Sequence, residues 1–257
     1  MGLITKFAAK LRKDPLGAMR RALCHLTVGR LKYSKGADYD AYRFWNDRFN
    51  RHGLTLTAVG DEGLSEMANR ERHEAARRLL LAYCVEQGVD LSSARVLDIG
   101  CGTGFFTEAI KAGGVTDYTG VDITDAFFRQ LEERYPGFVF IRKDVTSESI
   151  SGSYDLILMI DVIQHILSPE KLRSAMDNAI GCLANDGILI LAPISKTGKR
   201  VPLLYFVRTW SLSKVLECFG DGVTVKQILY RDNCYMLGVR KRKDGPCSMS
   251  TKSGAEA

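Results

Sequence analysis

The chain has 257 residues, 46% hydrophobic and 26% charged, which is ordinary globular usage and excludes wholesale disorder. Six prolines and 24 glycines exclude a collagenous chain, and no apolar run reaches the ~18–20 residues of a membrane span. The net charge of +6 sits at the ends: residues 1–35 hold nine Lys/Arg against Asp14, residues 240–257 hold five against two acids, and the body is acidic, which speaks against a nucleic-acid enzyme.

Seven cysteines (24, 84, 101, 182, 218, 234 and 247) never stand as CxxC, so no disulfide framework or zinc site is expected and a reducing, cytoplasmic setting fits. Lys6, Lys10, Arg12 and Lys13 interrupt any signal-peptide core. Residues 1–37 form a basic amphipathic segment: Leu3, Ile4, Phe7, Ala8 and Leu11 recur at helical spacing, and Met19, Leu23 and Leu26 continue the pattern. Two readings stay open: peripheral contact of residues 1–30 with the inner face of an anionic membrane, or a helix packed on its own body or a partner or a loosely ordered tail.

Residues 38–94 read as a helical cap. Tyr39, Tyr42, Trp45 and Phe49 are spaced to share one face, with Tyr42 and Trp45 as candidate substrate contacts, and a long helix spans about 65–87 and stops at Gly88. From 95 to 240 strands and helices alternate. Strands are predicted at 95–100, 118–121, 138–141, 154–160 and 187–193, with helices at 104–111, 125–134, 170–183 and 211–219. Two strands, 223–229 and 235–240, are close enough for a hairpin. This is an α/β pattern with a doubly wound, mostly parallel sheet and an antiparallel closing edge. Residues 241–257 read as a disordered tail.

The most informative stretch is VLDIGCGTG, residues 96–104, a strand running into Gly100, Cys101, Gly102, Thr103 and Gly104 and then a helix. Such turns lie at the open end of a doubly wound sheet, where ligands bind. Asp122 follows the second strand, 22 residues beyond Gly100, where an acid can accept both hydroxyls of a ribose. Asp144 follows the third strand, where an acid can meet an adenine amino group. Asp98, two residues before the first glycine, is a poor neighbour for a pyrophosphate and a good one for a sulfonium or ammonium. That contrast favours S-adenosyl-L-methionine over a dinucleotide.

The motifs VLDIGCGTG (96–104), YTGVDIT (118–124), KDVT (143–146), YDLILMIDVIQHI (154–166) and GILILAPI (187–194) follow in an order and spacing that resemble the class I S-adenosylmethionine-dependent methyltransferases. The resemblance implies a Rossmann-like sheet of seven strands with a reversed last strand. It implies that Asp98 and the Gly100–Gly104 turn line the methionine part of the cofactor. Asp122 would hold the ribose, Ile123 would pack on the adenine, Asp144 and Val145 would border it, and Asp161 would stand beside the amino-acid end and the substrate.

His165, just after the fourth strand, is the candidate general base, since an imidazole titrates near neutrality; a histidine that only packs there fits the same position. The stretch also resembles the ExxEH of quinone-pathway O-methyltransferases, with Asp161, Gln164 and His165 at the matching positions. The neutral amide of Gln164 argues against a divalent ion, so no metal is expected. Residues 195–208 lie where the family builds its substrate wall, and Lys196, Lys199, Arg200 and Arg208 could meet an anionic acceptor. The expectation is O-methylation of a small molecule or a glycan- or lipid-linked acceptor, with no nucleic-acid partner. N-methylation is the first alternative, disfavoured because IDVI replaces the NPPY-type motif; a cofactor-binding protein without catalysis is the second.

Overall fold

The computed structural model describes residues 16–17, 25–201 and 204–243. Most of the amphipathic stretch of residues 3–26 and the tail from Gly245 lie outside the described residues. A π-helical turn at His25–Gly29 and helix α1 (Arg30–Tyr33) lead into a short antiparallel ribbon, β1 (Ser34–Lys35) with β2 (Asp38–Tyr39). Helix α2 (Ala41–His52) starts where the Asp40 carboxylate accepts from the Arg43 N–H. After α3 (Leu56–Val59), the long helix α4 (Glu66–Glu86) is capped by Ser65, which accepts from the Ala68 N–H.

The alternating part follows in chain order: β3 (Arg95–Ile99), α5 (Phe105–Ala112), β4 (Asp117–Asp122), α6 (Phe128–Arg134), β5 (Val139–Arg142), β6 (Tyr154–Ile160), α7 (Pro169–Gly181) and β7 (Leu183–Ser195). A ribbon of β8 (Lys199–Arg200) and β9 (Arg208–Thr209), helix α8 (Leu212–Phe219) and the hairpin β10 (Val223–Leu229) and β11 (Cys234–Lys241) complete it. Seven strands form one sheet in the order β10-β11-β7-β6-β3-β4-β5. Strands β3 to β7 are parallel, and β11 runs antiparallel to both β7 and β10, which is the reversed final strand expected.

Strands β6 and β7 are continuous apolar runs because both faces of the sheet are covered. Alternate residues feed two cores: Leu156, Leu158 and Ile188 pack with Leu80 and Tyr83 of α4, while Ile157, Met159 and Leu189 pack with Met176 of α7 and Val215 of α8. Residues of 38–94 and of 95–240 therefore share a core. A third cluster of Tyr33, Tyr39, Phe44, Leu167 and Phe206 seats the N-terminal elements on the end of the sheet. β7 extends beyond the predicted 187–193 because Ser195 still pairs with Cys234. No helix among the described residues is long and apolar enough to cross a membrane.

The chain order reverses between β4 and β6, on either side of β3. The crevice outside the carboxyl ends of these strands is where such a sheet binds ligands.

Candidate active site

The turn after β3 occupies that crevice. Gly100, Gly102 and Gly104 have φ of +80°, +51° and +76°, the left-handed region that side chains resist. A Cβ on Gly100 would fall 2.1 Å from Cγ2 of Val162, and one on Gly102 would fall 2.9 Å from Cγ1 of Val59. The turn spends four of its five amides on the protein. Gly100 and Cys101 donate to the Val121 carbonyl (2.6 and 3.2 Å), Gly104 to that of Cys101 (2.9 Å), and Gly102 to Oδ2 of Asp122 (3.0 Å). These amides are not presented to a phosphate.

Asp122 ends β4 with its side chain buried, and its Oδ1 accepts from the Thr124 N–H at 3.1 Å. Burial raises its carboxyl to about 6, against the pull of those N–H bonds. Gly100, Cys101, Gly102 and Thr103 line one cavity together with Asp122 and Ile123. Asp144 and Val145 line it further along; the Asp144 Oδ1 accepts from the N–H and hydroxyl of Thr146 at 2.9 and 2.6 Å. A row of carboxylates beside a turn with spent amides fits a cationic nucleoside.

Two of the expected residues stand elsewhere. Asp98 and Gly104 do not line the cavity. Asp98 lies behind the turn, fully buried, accepting from the Tyr118 hydroxyl at 2.8 Å, and Tyr118 is also bonded to Thr107 at 2.7 Å. Desolvation raises Asp98 to about 7. It braces the turn from beneath, because side chains of β3 alternate and this one faces the α5 side.

Asp161 and His165 line the cavity at the end of β6. Asp161 takes φ +60° and donates its N–H to the Ala192 carbonyl at 2.8 Å. Its carboxylate pairs with Arg231 and accepts from the Tyr230 hydroxyl at 3.4 Å. His165 sits between Trp45, edge-on at 4.8 Å, and Phe206, stacked at 6.0 Å. Its Nδ1 lies 3.0 Å from the Phe206 carbonyl, which can only accept, so Nδ1 carries the proton and Nε2 is the bare nitrogen. Burial lowers this imidazole to about 4, so the ring is neutral.

Trp45 and Phe49 of α2 line the cavity, whereas Tyr42 does not. Tyr42 is exposed and lies under the Arg142 guanidinium; Phe44 takes the place beside Tyr39 and Phe206, because the buried arc of α2 runs through 44, 48 and 49. Of the expected basic wall, Lys196, Lys199 and Arg208 do not line the cavity. Arg208 donates to the Leu167 carbonyl at 2.7 Å and stacks on Trp210, and Lys196 and Lys199 are exposed and away from the cavity. Arg200 contributes backbone pairing with Arg208. What the segment brings is Phe206, through its carbonyl.

The positions resembling ExxEH do not converge. Gln164 donates its amide to the Asp161 carbonyl at 2.9 Å, and His165 turns Nδ1 to Phe206. No group of three His, Cys, Asp or Glu among the described residues could hold a metal ion.

Several residues were not foreseen. His73 of α4 lines the cavity, its Nδ1 2.8 Å from the Asn69 carbonyl. The buried Arg48 donates to the carbonyls of Ala58 (2.6 Å), Thr57 (3.0 Å) and Gly60 (2.7 Å), which fastens the loop carrying Val59 over the glycine turn. Glu66 accepts from the N–H groups of Leu56 and Thr57, both at 2.9 Å. No local motif marks these, since their partners are backbone atoms of distant segments.

Residues 97–189 match a family model described as "Methyltransferase domain". The chain is 28% identical over 130 residues to a ubiquinone biosynthesis O-methyltransferase of Histophilus somni, covering 46% of this chain and 52% of that protein. It spans about half the length of the curated relatives it matches. Among solved structures, magnesium protoporphyrin IX methyltransferase of Synechocystis PCC 6803 with bound S-adenosylmethionine superposes with a TM-score of 0.61 at 19% identity, over 80% of this chain and all of that one. The N-methyltransferase NodS of Bradyrhizobium japonicum gives 0.51 at 22% identity, over 67% and 87%. Residues 97–189 thus match a methyltransferase domain, and the solved methyltransferase structures share the fold of this chain.

Proposed function

We propose that this protein is an S-adenosylmethionine-dependent methyltransferase acting on a small-molecule acceptor, most directly at an oxygen. The observation that carries the reading is the glycine turn. The amides of Gly100, Cys101, Gly102 and Gly104 are consumed by Val121, Asp122 and Cys101, while Asp122, Asp144 and Asp161 line the cavity. Such a site repels a diphosphate and suits a cationic adenosyl ligand.

S-adenosylmethionine supplies the electrophilic methyl group; the protein has to align, dry and deprotonate. Asp122 accepts the ribose hydroxyls, and Ile123 and Val145 flank the adenine. Trp45, Phe49, Phe105, Phe106, Ile166 and Leu167 give the cavity an apolar and aromatic wall, which suits an acceptor with an apolar body. His165 holds a neutral ring whose bare Nε2 can take the hydroxyl proton. The oxygen assignment is favoured over nitrogen by that bare nitrogen, which an amine acceptor, deprotonated beforehand, does not need. The test is transfer of radiolabelled methyl from S-adenosylmethionine to a panel of hydroxyl and amine acceptors. Labelling of hydroxyl acceptors that His165→Ala lowers by at least ~10²-fold supports the reading. Labelling of amines alone, or activity unchanged in that variant, contradicts the oxygen and base assignments.

A second feature supports a lipid-linked acceptor. Val28 and Leu31 are 60% and 89% exposed and stand three residues apart, beside the basic N-terminal segment and just before the Tyr33 that packs on Phe44. Removing residues 1–30 is expected to weaken binding to vesicles containing anionic lipid; unchanged binding removes the membrane contact.

A further inference from the structure

The residue that carries the bare imidazole nitrogen sits on a segment held at three successive positions. The carbonyls of His165, Ile166 and Leu167 each accept from a side chain of a remote segment: from the Tyr39 hydroxyl at 3.2 Å, the Trp210 Nε1 at 2.9 Å and the Arg208 Nη1 at 2.7 Å. The imidazole itself is fixed through Nδ1, which donates to the Phe206 carbonyl at 3.0 Å. Phe206, Arg208 and Trp210 are alternate residues of the stretch that runs through β9, so one stretch makes three of these four contacts. Tyr39 of β2 makes the fourth, and the Trp45 Nε1 of α2 donates to its hydroxyl at 3.3 Å.

A carbonyl at the wall of a cavity can be served by water at small cost, whereas each of these bonds immobilises a large side chain. The donors converge on the residue with the bare Nε2 and on the two apolar residues after it, and all three line the cavity. Tyr39 lines it too, but its hydroxyl is engaged on both sides inside the protein. It gives its proton to the His165 carbonyl and accepts from Trp45, and burial raises its ionisation well above the ordinary tyrosine range. Tyr39 is therefore no rival base. Proton transfer needs the accepting nitrogen held close to its productive position, and a segment locked by hydrogen bonds from outside supplies that precision.

We propose that Tyr39 and Arg208 are positioning residues for His165, locking the backbone of residues 165–167 so that the bare Nε2 stays turned to the acceptor. This rests on the reading of His165 as the base. It gives Arg208 a role other than meeting an anionic acceptor, and it ties the ribbon before α2 to the chemistry.

The test follows the His165 Nδ1–H by nuclear magnetic resonance in protein carrying isotope-labelled histidine, and it needs no acceptor. Tyr39→Phe removes one oxygen; Arg208→Met removes the guanidinium and keeps an unbranched stem. In either variant this proton is expected to exchange with water at least ~10-fold faster than in wild type. His73 is the internal control: its Nδ1 bonds the Asn69 carbonyl at 2.8 Å, and its exchange should stay within about twofold. S-adenosylhomocysteine affinity should also stay within about twofold, while transfer to the hydroxyl panel falls roughly 10-fold in kcat with KM little changed. In a His165→Ala background the same substitutions should cost less than about twofold, because the group they position is gone. Unchanged exchange at His165 in one variant strikes that residue, and in both variants it overturns the proposal. An equal rise at His73, which marks general loosening, overturns it as well, as does full additivity with His165→Ala. If Arg208→Met does not fold, Tyr39→Phe decides alone. If His165→Ala leaves transfer unchanged, the base reading fails and the proposal with it; if His165→Ala lowers transfer while exchange is unmoved, only the positioning fails.

Discussion

Asp122 stands between the glycine turn and the cavity. It holds the glycine turn through the Gly102 N–H, and its buried carboxylate faces the cavity. Replacement by alanine removes an acceptor for two ligand hydroxyls and is expected to weaken S-adenosylhomocysteine by at least ~10²-fold, read by calorimetry. Because its empty-site value is raised to about 6, and hydroxyl donors favour the ionised form, affinity should fall as pH drops below about 6 and level off above it. Asp98 is raised as well, but its effect is on stability and runs the opposite way with pH. Its folded value of about 7 exceeds the ordinary carboxylate value near ~3.9. The fold therefore prefers the protonated form, and this contribution is complete below about pH 4 and lost as pH rises to about 7. Asp98→Asn should gain in Tm relative to wild type across that window; a constant difference would contradict the burial account. His165 follows the opposite rule. Its imidazole resonances should show a neutral Nδ1–H tautomer down to about pH 5, whereas titration near 6.5 would mean that the ring is exposed. Of these residues, Asp122 and His165 were legible because each follows a strand within a recognisable motif. The position of Asp98 behind the turn was not, since only the pairing with Tyr118 decides which way its side chain faces.

The cap elements act through backbone carbonyls. Arg48 satisfies three of them from a buried position, and Glu66 fixes the N–H groups of the next turn. Arg48→Met strands those carbonyls and should cost about 2–4 kcal/mol of stability and speed amide exchange in residues 54–65. Exchange unchanged there would show that the loop is held by other contacts. Gly100→Ala brings both a left-handed strain of about 1–2 kcal/mol and a clash with Val162, and should lower Tm and ligand affinity together. The strands of the sheet and helices α4, α5 and α8 were readable in outline from their pattern, and the structure adds Ser65 and Ser211 as the caps of α4 and α8. The ribbon β8–β9 was not, because two residues on each side carry no period. The basic run around it suggested an acceptor site, but Arg208 is consumed by Leu167 and Trp210.

At the level of the molecule, the switch in strand order about β3 opens the crevice, and the glycine turn and residues of α2 to α4 line it. The motifs on β3 to β7 made this arrangement legible in outline, because each candidate residue lies at the end of the strand that positions it. The surroundings of His165 were opaque: His73, which lines the cavity, and Phe206, which holds the His165 ring, come from remote segments that meet only after the sheet has formed. The most direct check on the whole account is a crystal structure of the protein with S-adenosylhomocysteine. The ribose hydroxyls should lie on Asp122, the adenine between Ile123 and Val145, and the sulfur should face the wall of Trp45 and His165. A ligand bound outside this cavity, or one whose ribose turns away from Asp122, would contradict it.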